Sequence, residues 1–251
     1  MKKLKLKKRY LIPLIIIIVL LIAAVYYFQF TAFGYRVTVP YRNFTEIRKN
    51  IYVENGYSCD MDEVKYVLDQ ATARVSDFWG NIDSKPVIII SDTEETISNL
   101  GGDHDTSTVV FFKAYSYISL SDEFMNVDIL AHELTHAELH DRLYKGKLSQ
   151  AVIPIWFDEG IATQNDYREQ YSDEEWIRST GNGSNVIELD KIDTAEEFYS
   201  GDADSIRLHY IVARHEVKEW IRNNGMNALT ELIDNVNDGE DFYQLYDRTK
   251  H

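Results

Sequence analysis

The stretch "DILAHELTHAELH", Asp128 to His140, sets three histidines at four-residue intervals, with a glutamate directly after the first. On a helix, residues four apart differ by about 40° in direction and about 6 Å along the axis, so the imidazoles of His132 and His136 can converge on one ion. Zinc takes imidazole nitrogen at about 2.0–2.1 Å in a tetrahedral shell. Glu133, beside the first of these histidines, stands where it could take a proton from water activated by such a metal. Ile129, Leu130, Leu134 and Ala137 supply an apolar face that would hold the helix rigid. The rival reading is the polar seam of an ordinary helix, and a third ligand decides between the two.

His140 lies one more turn along the same helix, about 80° from His132, which is poor geometry for closing a tetrahedron. It is expected to be a polar residue near the helix end, where the macrodipole favours a base. A better third ligand is Glu159 in "PIWFDEGIATQ", 23 residues after His136, enough chain for a loop and a second helix that returns past the metal. Two histidines and one glutamate leave a fourth position open for water, which marks a catalytic rather than a structural zinc site. Asp158 is a competing ligand. His104, in "GGDHDT", reads as a solvated loop residue, and His215 follows no ligand spacing and reads as structural. The single cysteine, Cys59, has no base near it in sequence and can form no internal disulfide.

Several elements must position these residues. Residues 44–55, "FTEIRKNIYVEN", suit a strand closed by the turn signal Asn55-Gly56. Apolar residues at 61, 64, 67, 68, 71, 75, 78 and 79 form a helical stripe that stops at Gly80. "KPVIIIS", residues 85–91, is expected as a buried strand, followed by a short helix before Gly101-Gly102. Residues 106–121 suit one or two strands, with an edge running along the cleft. From Ser149 the chain reads as helical at 156–167, after Ser172, at 204–223 and at 226–236, with breaks at 181–184 and 199–204. Strands and a helix followed by helices predict an α+β domain in two lobes.

The chain has 251 residues, 45% of them hydrophobic, enough for one sizeable core. Residues 2–9 carry six of the 26 basic side chains and no acid, leaving 20 basic against 41 acidic for the rest. That acidic body argues against nucleic acid or anionic lipid as its partner. No charged residue occurs from Tyr10 to Tyr35, and about 20 apolar residues suffice to cross about 30 Å of hydrocarbon. The expected organisation is a cytoplasmic basic segment (1–9), a transmembrane anchor (10–30) embedded in the lipid bilayer, a tether (31–45) and an extracytoplasmic domain (46–251). Ala32-Phe33-Gly34 also offers a small-x-small cleavage site, whose use would make the domain secreted. The apolar run is longer than a signal peptide needs, so the uncleaved anchor is favoured.

"HELTH" followed by "PIWFDEGIA" resembles the gluzincin zinc peptidases, most closely the small peptidase-MA-like group, in which a Trp/Leu-rich turn leads into a Glu-Gly-apolar-Ala ligand helix. The resemblance covers residues 86 to 236 and includes a late helix with a tyrosine near its start, here "LHYIVARHEVKEWI". It implies a two-lobed zincin-like fold, one zinc ion per chain on His132, His136 and Glu159, Glu133 as general base, and hydrolysis of a polypeptide substrate. It further implies that Tyr210 donates a hydrogen bond to the oxyanion at the scissile carbonyl, a part that the adjacent His209 could also play. Thr163 stands where some gluzincins carry an acid that orients the first histidine, so that partner is left open. The alternative is a metal-holding binding or sensor domain on the same scaffold that does not turn over substrate.

Overall fold

The computed structural model describes residues 8–58, 60–101, 108–112, 115–144 and 153–248, so Cys59 and His104 lie outside the described residues. The chain begins with α1 (Lys8–Phe30), α2 (Ala32–Thr38), β1 (Phe44–Arg48), β2 (Ile51–Glu54) and α3 (Met61–Trp79). There follow β3 (Val87–Ile90), α4 (Glu94–Asn99), β4 (Thr108–Phe112), β5 (Tyr115–Leu120) and α5 (Val127–Tyr144). The remainder is helical: α6 (Ile155–Ala162), α7 (Asp173–Thr180), α8 (Ala195–Phe198), α9 (Ala203–Asn224), α10 (Met226–Asn237) and α11 (Phe242–Arg248). The architecture is α+β.

Ile12–Phe30 is a 19-residue apolar helix with none of its length buried in the fold, long and apolar enough to cross a membrane or to serve as a signal sequence. Residues 31–45, expected as a tether, instead carry α2 and a short 3-10 turn at Val39–Tyr41. Arg36 and Val39 are buried. Val39 packs on the sheet beside Tyr52 and Ile89, which a solvated linker would not do.

One five-stranded sheet organises the domain, in the order β1-β2-β3-β5-β4. The β1/β2 and β4/β5 pairs are antiparallel, and β2/β3 and β3/β5 are parallel. Residues 44–55 thus form a hairpin rather than one strand. Asn50 turns it at φ +65°, a left-handed conformation that asparagine tolerates, and its backbone N–H donates to Glu46 Oε1 at 2.9 Å. Successive residues of β2, β3 and β5 point to opposite faces, so both faces are covered. Val53, Ile88, Ile90, Ile118 and Leu120 meet α3 and α5 in the main core, whereas Tyr52 and Ile89 meet Val39 and Leu100 on the other side.

Local chemistry sets the ends of the site-bearing helices. Asp60 caps α3 by accepting from Asp62 N–H, and Gly80 at φ +80° ends it in the left-handed conformation. Asn126 Oδ1 accepts from Ile129 N–H at 3.0 Å and so fixes the start of α5. From Ile129 to Leu139 every side chain of α5 is buried. The helix lies against the sheet and α3 on one side and against α6 and α10 on the other. The expected helix at 156–167 is α6 plus a 3-10 turn at Thr163–Asn165. No Cβ fits at Gly160, because it would fall 2.6 Å from both the Ala213 carbonyl oxygen and Val217 Cγ2 on α9. Helix α11 was not foreseen from the sequence. It packs Phe242 and Tyr246 around the fully buried Trp156, with Trp156–Tyr246 centroids 5.3 Å apart.

Candidate metal centre

Helices α5 and α6 bring His132, His136 and Glu159 together, and all three are buried. His132 Nε2 and His136 Nε2 are 3.1 Å apart, and each is 3.3 Å from Glu159 Oε2. A tetrahedral shell with bonds of about 2.0–2.1 Å has ligand-to-ligand edges of about 3.3 Å, so these three atoms already have the spacing of one face of a zinc site. Glu159 Oε2 is buried without a hydrogen-bond partner. An orphaned buried carboxylate oxygen facing two imidazole nitrogens carries a desolvation cost that a bound cation would remove. The donor set of two imidazoles and one carboxylate suits zinc.

Asp158 faces the other side of the same imidazole. Its Oδ1 lies 2.6 Å from His136 Nδ1 in a buried hydrogen bond, and its Oδ2 lies 2.6 Å from His140 Nε2 in a partly buried one. With Nδ1–H donated to Asp158, the His136 lone pair is left on Nε2, toward His132 and Glu159. The carboxylate expected as a competing ligand therefore orients His136 instead. His140, expected as a helix-end polar residue, sits one turn beyond His136 on the same face and so reaches the second oxygen of Asp158. His136, His140 and Asp158 also lie close enough to hold an ion. Distances of 2.6 Å, each to a different carboxylate oxygen, are those of charge-assisted hydrogen bonds.

The open question of what faces His132 is answered by Asp166. Its Oδ2 is 3.7 Å from His132 Nδ1, a charge contact longer than a hydrogen bond. Asp166 is fully buried and held by Arg168, with Nη2 at 2.5 Å and Nε at 2.9 Å. Asn165 Nδ2 donates to Thr135 Oγ1 at 2.8 Å, which ties this turn to α5. Thr163, where the resemblance led one to look for an acid, is buried and donates its hydroxyl to the Glu159 carbonyl oxygen.

Electrostatics keep the acids ionised. Burial alone would raise Glu159, but the imidazoles of His136 and His132 outweigh it and hold the carboxyl at about 2. Asp158 is likewise held well below the ordinary carboxylate range by His140 and His136 against the opposing effect of burial. Burial would lower His136, yet Asp158 and Glu159 raise it well above the usual imidazole value. A cation on Nε2 would take the place of that proton.

Glu133 is buried on α5 beside His132. Tyr210 packs against this histidine, with ring centroids 6.2 Å apart, and lies between Phe198 and Tyr171. Burial, and then the Glu159 carboxylate, push its hydroxyl well above the ordinary phenol value, so it remains a donor. His209, the alternative to Tyr210, is buried and donates Nδ1–H to the Phe198 carbonyl at 2.7 Å. His215 stacks flat on Trp176 at 3.7 Å.

Sequence reasoning missed Tyr199, whose hydroxyl donates to Glu159 Oε1 and also interacts with Tyr210. Residue 199 was read only as the edge of a polar break. A signal existed: Thr194 and Glu197 form a capping box around α8, with Thr194 N–H donating to Glu197 Oε2 at 3.0 Å, and this fixes Phe198 and Tyr199 over the site. Among the described residues, the two clusters sharing His136 are the groups of His, Asp and Glu close enough to hold a metal. No protein-family model matches the chain, and no curated protein matches it in sequence, so the site is read on its own residues.

Proposed function

We propose that this protein is a membrane-anchored zinc metallopeptidase, with His132, His136 and Glu159 as ligands and Glu133 as general base. The observation that carries the reading is the 3.1–3.3 Å triangle of Nε2, Nε2 and Oε2, buried next to a glutamate one residue after the first ligand. Bound there, zinc would polarise a peptide carbonyl and make water acidic enough to deprotonate near pH 7. Glu133 accepts the proton of the attacking water and passes it to the leaving nitrogen, so that hydroxyl adds to carbon and hydrogen to nitrogen. Asp158 holds the His136 imidazole in register from behind, and Asp166 faces His132 at the longer distance of 3.7 Å. Tyr199 fixes the second oxygen of Glu159, and Tyr210 supplies a hydroxyl donor for the developing oxyanion.

In this reading the domain is a two-lobed zincin-like arrangement, with the sheet, α3 and α5 in one lobe and the later helices in the other. Strand β4 is at the sheet edge and lies against α5, a suitable rail for an extended polypeptide. The basic N-terminus favours a cytoplasmic start and an extracytoplasmic domain. The test is metal content of the purified full-length protein, with hydrolysis of a mixed peptide library. Wild type should hold one zinc and cleave, Glu133→Gln should keep the zinc and lose cleavage by about 10³-fold or more, and Glu159→Ala should lose the metal. Zinc without cleavage in any library would point instead to a metal-holding binding domain. Absence of metal from the wild type would end both readings.

A further inference from the structure

The junction between anchor and domain is built as a corner rather than a tether. Thr31 is the one residue between α1 and α2. Its hydroxyl donates to the Tyr27 carbonyl at 2.7 Å and accepts from Gly34 N–H at 3.0 Å. A Cβ at Gly34 would fall 2.4 Å from the Tyr27 carbonyl oxygen and 2.5 Å from Phe28 Cα, so α2 crosses the end of α1 at backbone contact. Arg42 closes the corner from the domain side. Its Nη2 donates to the Phe28 carbonyl at 2.8 Å, its Nε donates to Thr38 Oγ1 at 2.8 Å, and its guanidinium lies 3.8 Å from the centre of the Tyr35 ring.

Helix α2 and the turn after it are themselves sunk into the fold. Val39 packs with Tyr52, Ile89 and Leu100 on the sheet face opposite α5, and Arg36 is buried beside Gly101. Tyr26, Tyr27, Phe28, Phe30 and Tyr41 are exposed around the same corner, Tyr41 at 90%. The first four form the end of the 19-residue apolar helix, where aromatic side chains suit the headgroup level of a bilayer. A fifteen-residue flexible linker would let the domain wander by about 20 Å and rotate freely. Here no free residue remains to permit it.

We infer that anchor and domain move as one body, which makes the protein prefer polypeptides presented on the same membrane, cut at a fixed height above its surface. This rests on the peptidase reading for the word cut, but not for the rigid corner. The sheet lies between the segment of Val39 and helix α5, so two layer spacings, on the order of 20 Å, separate that segment from the helix that carries His132 and His136, a span that about six extended residues cover. Substrates would be the membrane-adjacent segments of anchored chains, and the bilayer itself would supply the high effective concentration.

The test uses the full-length protein in phospholipid vesicles. Cys59→Ser with Ile177→Cys carries a donor dye, acceptor lipids report its height, and time-resolved energy transfer gives the spread. Wild type should show one narrow height, and six Gly/Ser residues inserted after Phe30, or Gly34→Ala, should broaden it. A wild-type spread as wide as that of the insertion overturns the rigid corner. In the same vesicles, a cleavable peptide is displayed on an anchored helix behind a spacer of about six or about forty residues, and is also supplied free. Wild type should favour the short spacer by about tenfold or more, and the insertion should erase that preference while leaving cleavage of the free peptide unchanged. Equal cleavage behind both spacers by wild type overturns the substrate assignment. No cleavage of the free peptide either would sink the peptidase reading instead, with the height measurement still deciding the corner.

Discussion

Asp158 binds both oxygens to imidazoles, His136 Nδ1 and His140 Nε2, each at 2.6 Å, whereas Asp166 stands 3.7 Å from His132. The two acids therefore do not contribute equally. Asp158→Asn should lower zinc affinity by about 10–100-fold, and Asp166→Asn by less, measured by competition with a chelator. An equal loss in the two variants would contradict that ranking. Glu159 gives a pH signature. Its folded-state value of about 2 is below the ordinary 4.5, so the unfolded chain takes up the proton first as pH falls. The stability it contributes to the metal-free protein is present above about pH 4.5 and is lost toward pH 2. Urea midpoints across that range should fall less steeply in Glu159→Gln than in wild type; identical slopes would mean that this carboxylate is not the cause.

At the scale of elements, the cluster depends on how closely α6 approaches α9. Gly160 follows the proposed ligand Glu159 directly, and its missing Cβ is what lets the helices touch at the Ala213 carbonyl. Gly160→Ala should destabilise the domain by about 1–3 kcal/mol and weaken metal binding with it, read from the denaturation midpoint with and without zinc. A variant with unchanged stability and unchanged metal affinity would show that the contact yields freely. Helix α5 has a separate weak point at its start. Asn126→Ala removes the acceptor for Ile129 N–H and should cost about 1 kcal/mol, while His132 and His136 further along the helix keep their spacing.

At the scale of the molecule, an acidic body is joined to an apolar helix through a packed corner. The proposed anchor would hold by apolar burial and not by charge, so salt at about 1 M should leave the full-length protein in the membrane fraction. Release into the supernatant would mean an electrostatic attachment or a cleaved leader, and the mass of the recovered protein separates the two. Cleavage at Ala32-Phe33-Gly34 would cut into α2, upstream of the buried Arg36 and Val39.

Much of the centre was legible because it is local. His132, Glu133 and His136 lie within two turns of one helix, whose geometry follows from 3.6 residues per turn, and Glu159 lies on a second helix at a spacing that allows return. The helical stripe ending at Gly80 and the apolar runs of β3 and β5 were legible for the same reason, since each depends on neighbours in the chain. The hairpin turn at Asn50, the short helix α11 and the packed segment after α1 were not, because each also depends on distant residues: Asn50 on Lys85 and Ile88, α11 on Trp156, and Val39 on the sheet. The same holds inside the site. That Asp158 turns to the back of His136, that Asp166 rather than Thr163 faces His132, and that Tyr199 reaches Glu159 from 40 residues on depend on how α5, α6 and the α8 turn pack. Spacing along one helix determined which atoms could meet, and only packing between helices decided which acids and hydroxyls hold them, because those approaches are fixed by burial and close contact across long stretches of chain.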